Sequence, residues 1–189
     1  MEKDFKYLYK YKRIKSAIDL TRILAIINKK KIYLPTYKNL NDPFESFMNT
    51  IHTSDAGSSI LYNVGERREY VDELLDKYRI LSLTSNCRNQ VMWTMYTDYY
   101  EGICIGFKNL EYAKKIKYRK STEKPKDIYI DDPQFSQQHL IDTLMVKHDV
   151  WQYEDEYRII SREKYLNIEN NIKFIILGQN LNKEIKEQL

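Results

Sequence analysis

Glycine and cysteine are scarce in this chain. Five glycines among 189 residues make a Gly-rich phosphate loop or a dinucleotide-binding fingerprint implausible, because both need several glycines at fixed spacings. The two cysteines form no C-x-x-C motif and the three histidines share no metal-ligand spacing, so no standard zinc motif is present. The nucleophile elbow G-x-S-x-G is absent as well. Familiar catalytic signatures therefore do not identify a function.

Long apolar runs are also lacking. No run of about 18 apolar residues occurs, so we predict no membrane span and no membrane partner. The charged start of the chain has no apolar signal-peptide core, and two unpatterned cysteines favour a reducing compartment. We therefore expect a cytoplasmic protein. A chain of 189 residues, 42% hydrophobic and 31% charged, suits one globular domain over residues 1–189.

Short strand patterns alternate irregularly with helical ones. Strands are predicted at Leu8–Tyr11, Ile32–Leu34, Arg79–Thr84, Gly102–Phe107, Ile116–Tyr118, Tyr157–Ile160 and, as a buried strand, Lys173–Gly178. Helices are predicted after Ser16, from Gln90 to Tyr99, from Ser136 to His148 and from Asn180 to Leu189. This order is typical of a single α+β domain, with mixed or antiparallel short strands in two small sheets and surrounding helices.

The box from Asn41 to Glu45 has two interpretations. Asp42 can cap a helix with Pro43 at its first position and Glu45 completing a capping-box arrangement. Alternatively, these residues form a rigid acidic loop that borders a site.

The pair Glu154 and Glu156 carries the most chemical information. If both lie in a strand, they share one face, and two like charges there need a cation, solvent or a ligand. Arg158 on the same face would make a structural ladder. Alternatively, one carboxylate accepts hydrogen bonds from a ribose hydroxyl and stabilises an oxocarbenium ion while the other orients it or activates the acceptor. A metal-dependent nuclease could use the same pair with Asp42 and Glu45.

Small hydroxyl residues and aromatic residues offer further candidates. Ser82, Thr84 and Ser85, at a strand end and the following turn, could bond a ribose or an amide, or could simply form the turn. Trp93 and Tyr96 could wall a flat ring, although their helical spacing beside Met92 also suits a core.

Basic residues are densest near the start of the chain. Tyr9, Lys10 and Arg13 could grip a pyrophosphate, or could belong to a solvated surface. The net charge of +4 comes from basic and acidic residues that are interleaved, so it does not single out a nucleic-acid partner.

Four boxes in chain order resemble a widespread bacterial family of unknown function, whose members are seen among mobile-element and phage-defence genes. The boxes are Leu8-Tyr9-Lys10-Tyr11, Asn41-Asp42-Pro43-Phe44-Glu45, Met92-Trp93-x-x-Tyr96 followed by Gly102-x-Cys104-x-Gly106-Phe107, and Trp151-x-Tyr153-Glu154-x-Glu156-Tyr157-Arg158. The resemblance spans nearly the whole chain but implies little biochemistry.

The order of three boxes is more distantly similar to the ADP-ribosyltransferase fold. The corresponding segments here are Tyr9 to Arg13, Ser82 to Ser85, and Glu154-x-Glu156. This resemblance implies NAD as substrate, Glu156 as the catalytic carboxylate and Glu154 as the acceptor-orienting one. The chain departs from it because the predicted first strand, Leu8–Tyr11, holds no arginine. Lys10 or Arg13 must therefore take the place of that arginine.

Three functional hypotheses follow. The first is a toxin or phage-defence effector that transfers ADP-ribose from NAD to a protein or nucleic-acid acceptor, or hydrolyses NAD. The second is a non-catalytic module that binds nucleic acid or protein. The third is the metal-dependent nuclease.

Overall fold

The computed structural model describes residues 7–42, 49–52, 73–108, 110–120, 122–123, 126–129 and 136–189. The strands are β1 (Leu8–Arg13), β2 (Lys31–Tyr33), β3 (Asn49–His52), β4 (Arg79–Thr84), β5 (Gly102–Phe107), β6 (Lys114–Lys115), β7 (Lys117–Arg119), β8 (Lys126–Tyr129), β9 (Val146–His148), β10 (Glu156–Ser161), β11 (Tyr165–Asn167) and β12 (Ile172–Leu177). The helices are α1 (Ala17–Lys29), α2 (Gln90–Tyr96), α3 (Gln137–Thr143) and α4 (Lys183–Gln188), with 3₁₀ helices at Tyr37–Asn39 and Asp149–Glu154.

An antiparallel sheet of six strands, in the order β12-β5-β1-β4-β10-β6, is the centre of the fold. Three two-stranded sheets accompany it: β11 with β2 antiparallel, and β3 with β8 and β7 with β9 parallel. The prediction of an α+β chain with short mixed strands is therefore confirmed.

The main core lies between this sheet and α1. Every residue of β5 is buried, as the apolar run Gly102–Phe107 predicts for a central strand. Ile23 and Ile26 of α1 pack in the same cluster as Leu81 and Leu83 of β4. The predicted start of α1 is confirmed, since the Ser16 hydroxyl accepts a hydrogen bond from the Asp19 amide at 3.2 Å.

The six-stranded sheet is split between β1 and β4. Strand β1 pairs with β5 along its whole length, from Leu8 opposite Phe107 to Arg13 opposite Gly102. Between β1 and β4, in contrast, the register joins Tyr9 to Thr84 alone. The sheet thus consists of two halves, β12-β5-β1 and β4-β10-β6, which meet at one residue pair and then diverge.

Three sequence-based element predictions need correction. The helix predicted from Ser136 to His148 ends at Thr143, because the chain turns at Leu144 and the Met145 carbonyl accepts a hydrogen bond from the Lys117 amide at 2.9 Å as β9 pairs with β7. Strand β12 is partly exposed rather than buried, because it is an edge strand.

The third correction concerns Glu154, which ends a 3₁₀ helix instead of lying in a strand. Asp155 adopts the left-handed conformation, with φ of 44°, and the strand begins at Glu156. As for the Asn41–Glu45 box, Asp42 is buried and the helix start predicted after it lies outside the described residues.

Candidate functional site

A cavity of about 580 Å³ opens where β1 and β4 diverge. Its volume lies in the range of small-molecule sites, about 300–1,000 Å³. Five parts of the chain contribute to its described lining: β1, α1, the segment 33–41, the end of β4 with α2, and the segment from Lys147 to Arg158. The lining residues are Tyr9 to Arg13, Asp19, Arg22, Ile23, Ile26, Tyr33, Pro35, Asn39, Leu40, Asn41, Leu81 to Thr84, Met92, Met95, Tyr96, Lys147, Glu154, Glu156 and Arg158.

Strand register brings the three predicted boxes together. Thr84 lies opposite Tyr9 on one side and opposite Glu156 on the other, and Ser82 lies opposite Arg158. Directly opposed residues in an antiparallel sheet project to the same face, so these five residues share a face of the sheet. The Glu154–Glu156 box, Ser82 and the Tyr9–Arg13 segment therefore line one cavity in the structure.

Glu156 is buried and ionised. Arg158 donates to it from Nε at 2.7 Å and from Nη2 at 3.2 Å, and the Lys147 ammonium lies 3.0 Å from Oε2. Burial alone would raise the pKa of Glu156, but the charges of Arg158 and Lys147, with hydrogen bonds from Arg158 and the Ser82 side chain, outweigh it and lower the pKa to about 2.

Glu154 binds the same cation, Lys147, from the end of the 3₁₀ helix. Its Oε2 accepts a hydrogen bond from Lys147 at 2.7 Å and its Oε1 accepts one from the Tyr96 hydroxyl. Burial, followed by the charge of Glu154, raises the pKa of Tyr96. The two carboxylates therefore share the Lys147 ammonium, and the prediction that they share a strand face is wrong.

The four charged side chains form a neutral buried group, which we call the charge quartet: Lys147, Glu154, Glu156 and Arg158. Their exposed fractions are 4%, 4%, 2% and 1%. Arg158 also donates from Nη1 to the Leu144 carbonyl at 2.5 Å. Charges so deeply buried are tolerated only when paired and hydrogen-bonded, so the quartet is a fixed unit.

Lys10 lies in the opening between the sheet halves. Its Nζ donates to the Ser82 carbonyl across the split at 2.8 Å. Burial, and then the charge of Lys12, lower the pKa of Lys10 to about 7, although Glu156 and Glu154 act in the opposite direction. The ammonium form of Lys10 is therefore destabilised, and its neutral amine is accessible near neutral pH.

Basic residues surround the other end of the cavity. Arg13 and Arg22 are exposed and Lys12 is half-buried beside Arg22 and Asp19. Burial, followed by the charge of Arg22, lowers the pKa of Lys12. Outside the neutral quartet, the described lining carries four basic residues, Lys10 included, and one acidic residue, Asp19. This excess of positive charge favours an anionic ligand.

Two predicted binding residues lie outside the described lining. Trp93 is buried, stacks on Tyr100 with ring centroids 5.3 Å apart, and donates from Nε1 to the Cys87 carbonyl at 2.8 Å. The Ser85 hydroxyl donates to the carboxylate of Asp155, which also pairs with Lys115. Trp93 is therefore a core residue and Ser85 fixes the turn beside the site.

Sequence reasoning missed Lys147, which binds both carboxylates. The helix predicted from Ser136 to His148 includes Lys147, so the sequence does not place Lys147 on a strand near the Glu154–Glu156 box. The signal that would have found it is the need for a second cation, since one arginine cannot neutralise two buried carboxylates.

Comparison with known proteins gives one family. Residues 92–159 match the model of a family described as protein of unknown function (DUF2971). The predicted resemblance to a family of unknown function is thereby confirmed over a segment that holds the Met92–Tyr96 and Trp151–Arg158 boxes. Searches of solved structures and of curated proteins found no match.

The described residues contain no helix that combines the length and apolar character of a membrane span. They also contain no group of three or more His, Cys, Asp or Glu side chains arranged to hold a metal ion. Of the carboxylates in the nuclease hypothesis, Glu45 lies outside the described residues.

Proposed function

We propose that this chain binds NAD in the cavity between the sheet halves and transfers its ADP-ribose to a protein or nucleic-acid acceptor, or hydrolyses it, as a toxin or phage-defence effector. The observation that carries the proposal is the position of Glu156. It is ionised, it is hydrogen-bonded to Ser82, and it lines one cavity with the Tyr9–Arg13 segment.

The reaction breaks the bond between nicotinamide and the ribose carbon. Positive charge develops on the ribose as nicotinamide leaves, and a fixed carboxylate nearby lowers the energy of that state. Arg158 and Lys147 hold Glu156 in one orientation and keep it ionised. Water or the acceptor then attacks the ribose carbon and loses a proton.

The arginines and tyrosines of the lining suit the phosphates and the rings of NAD. Arg13 and Arg22 are exposed arginines in the lining, and guanidinium groups bind phosphate oxygens by charge-assisted hydrogen bonds. Tyr9, Tyr33 and Tyr96 supply aromatic surface for the rings of the ligand. We therefore propose that the phosphates bind at the basic end and that the scissile bond lies beside Glu156.

Nicotinamide release from NAD, measured by chromatography, tests the proposal. We expect Glu156→Gln to lower kcat by about 100-fold or more, because the preorganised charge is lost. Arg13→Ala should raise KM about 10-fold through the loss of a charge-assisted phosphate contact, since Arg13 is exposed and its removal leaves the core intact. Exposed Arg88 lies outside the described lining, so Arg88→Ala should behave as wild type.

Circular dichroism first establishes that each variant is folded. No nicotinamide release by the wild type, with NAD and candidate acceptors present, would contradict the proposal. Equal turnover by wild type and folded Glu156→Gln would contradict the role of Glu156, and unchanged KM in Arg13→Ala would contradict the phosphate position.

A second candidate is a module that binds an anionic nucleic acid without catalysis. Both oxygens of Glu154 and both oxygens of Glu156 already accept bonds from Lys147, Tyr96 or Arg158, which favours a structural quartet. This candidate predicts RNA or DNA binding that weakens steeply with salt and biological activity that survives Glu154→Gln/Glu156→Gln.

A further inference from the structure

Lys10 has a setting unlike that of an ordinary surface lysine. It projects into the split between β1 and β4, lines the cavity, and is tethered to the Ser82 carbonyl at 2.8 Å. The cations of the quartet are committed to carboxylates, whereas Lys10 faces carboxylates that Lys147 and Arg158 already neutralise. Among the described residues, no carboxylate forms an ion pair with its amine, which is held in place by the Ser82 carbonyl.

These surroundings favour the neutral form of the amine. Burial and the neighbouring cation Lys12 both oppose the ammonium ion. A lysine that is desolvated and placed near another cation is an activated nucleophile, because the amine lone pair is then available near neutral pH. The Ser82 carbonyl accepts a hydrogen bond and leaves that lone pair in place.

The basic end of the cavity favours an electrophile that carries negative charge. Arg13, Arg22 and Lys12 lie along the same lining as Lys10, so a ligand that reaches the amine passes or occupies a basic surface. We propose that Lys10 forms a reversible imine with an aldehyde that carries a phosphate, whose anion binds at the Arg13 and Arg22 end.

The bond changes balance without any further reactant. The Lys10 nitrogen attacks the carbonyl carbon to form a carbinolamine, which then loses water to leave a C=N bond. The carbonyl oxygen departs in that water together with two hydrogens from the amine. Imine formation is a different reaction from NAD cleavage. Because it can be measured in the absence of NAD, the two proposals are tested independently.

Trapping with borohydride tests the proposal on the wild-type chain. The protein is mixed at pH 7 with pyridoxal 5′-phosphate or with pyridoxal, reduced, digested and mapped by mass spectrometry. The lowered pKa of Lys10, about 7, makes its neutral amine available at this pH, and the cavity binds the phosphate of the aldehyde beside it. We therefore expect Lys10 to be labelled by pyridoxal 5′-phosphate at least about 100-fold faster than Lys77, which is exposed and lies outside the described lining.

Variants and pH separate a specific site from general lysine labelling. The Lys10 rate should rise with pH up to about 7 and then level off. Arg13→Ala should slow labelling by pyridoxal 5′-phosphate and leave labelling by pyridoxal unchanged, while Arg88→Ala should change neither. Labelling of Lys10 no faster than that of Lys77, or equal labelling by the two aldehydes, would overturn the proposal. Loss of NAD cleavage with trapping retained would overturn only the NAD proposal.

Discussion

Arg158→Met is expected to lower the free energy of unfolding by about 3–5 kcal/mol, because it leaves a buried carboxylate without its main partner. Arg158 makes two of the hydrogen bonds to Glu156 and one to the Leu144 carbonyl, and its side chain has no exposed area. Methionine fills much of the same volume but supplies no donor. Urea denaturation at pH 7 measures the change.

Arg162→Met is the matched control. Arg162 is exposed and donates to the Gln137 side chain at 2.9 Å, so its loss should cost less than about 1 kcal/mol. Adding Glu156→Gln to Arg158→Met should restore part of the lost stability, because the unpaired charge is removed. A cost for Arg158→Met as small as that for Arg162→Met would show that the quartet is not a fixed buried unit.

Lys147→Met has the second large expected effect, again about 3–5 kcal/mol at pH 7. It removes the ammonium that lies 2.7 Å from Glu154 and 3.0 Å from Glu156, and so leaves two carboxylates for one arginine. Exposed Lys77 provides the control variant Lys77→Met, which should be neutral within about 0.5 kcal/mol.

Acidification should shrink the difference between Lys147→Met and wild type. In the wild type, the lowered pKa of Glu156 adds stability that is complete above its unfolded value of about 4.3 and is lost as the pH falls towards 2. Without Lys147 the folded pKa rises, so the variant loses less on acidification. A stability difference that is constant between pH 6 and pH 3 would contradict the assignment of Lys147 as the shared cation, as would a failure of Glu154→Gln to restore stability to Lys147→Met.

Local sequence patterns predict the two strands that carry Ser82, Thr84, Glu156 and Arg158. The alternating residues of Arg79–Thr84 and the strand-forming residues of Tyr157–Ile160 predict two strands, which the structure confirms and shows to be paired. Pairing of these strands places Ser82 and Thr84 on the face of Glu156 and Arg158.

Non-local features could not be predicted in the same way. The left-handed conformation of Asp155 leaves Glu154 outside the strand. Aspartate at that position is equally compatible with an extended backbone, so the sequence does not predict this conformation. The cavity where β1 and β4 diverge is lined by residues from α1 and the segment 33–41 as well, a combination that no single stretch of sequence encodes. The position of Lys147 beside the two carboxylates could not be predicted, because Val146–His148 forms a strand only by pairing with β7.

A crystal structure with bound ADP-ribose is the most direct measurement of the central claim, that the opening between β1 and β4 is a nucleotide site. We expect the diphosphate beside Arg13 and the ribose within hydrogen-bonding distance of Glu156, with the charge quartet intact. ADP-ribose bound elsewhere, or a cavity that stays empty of it at saturating concentration, would contradict the account.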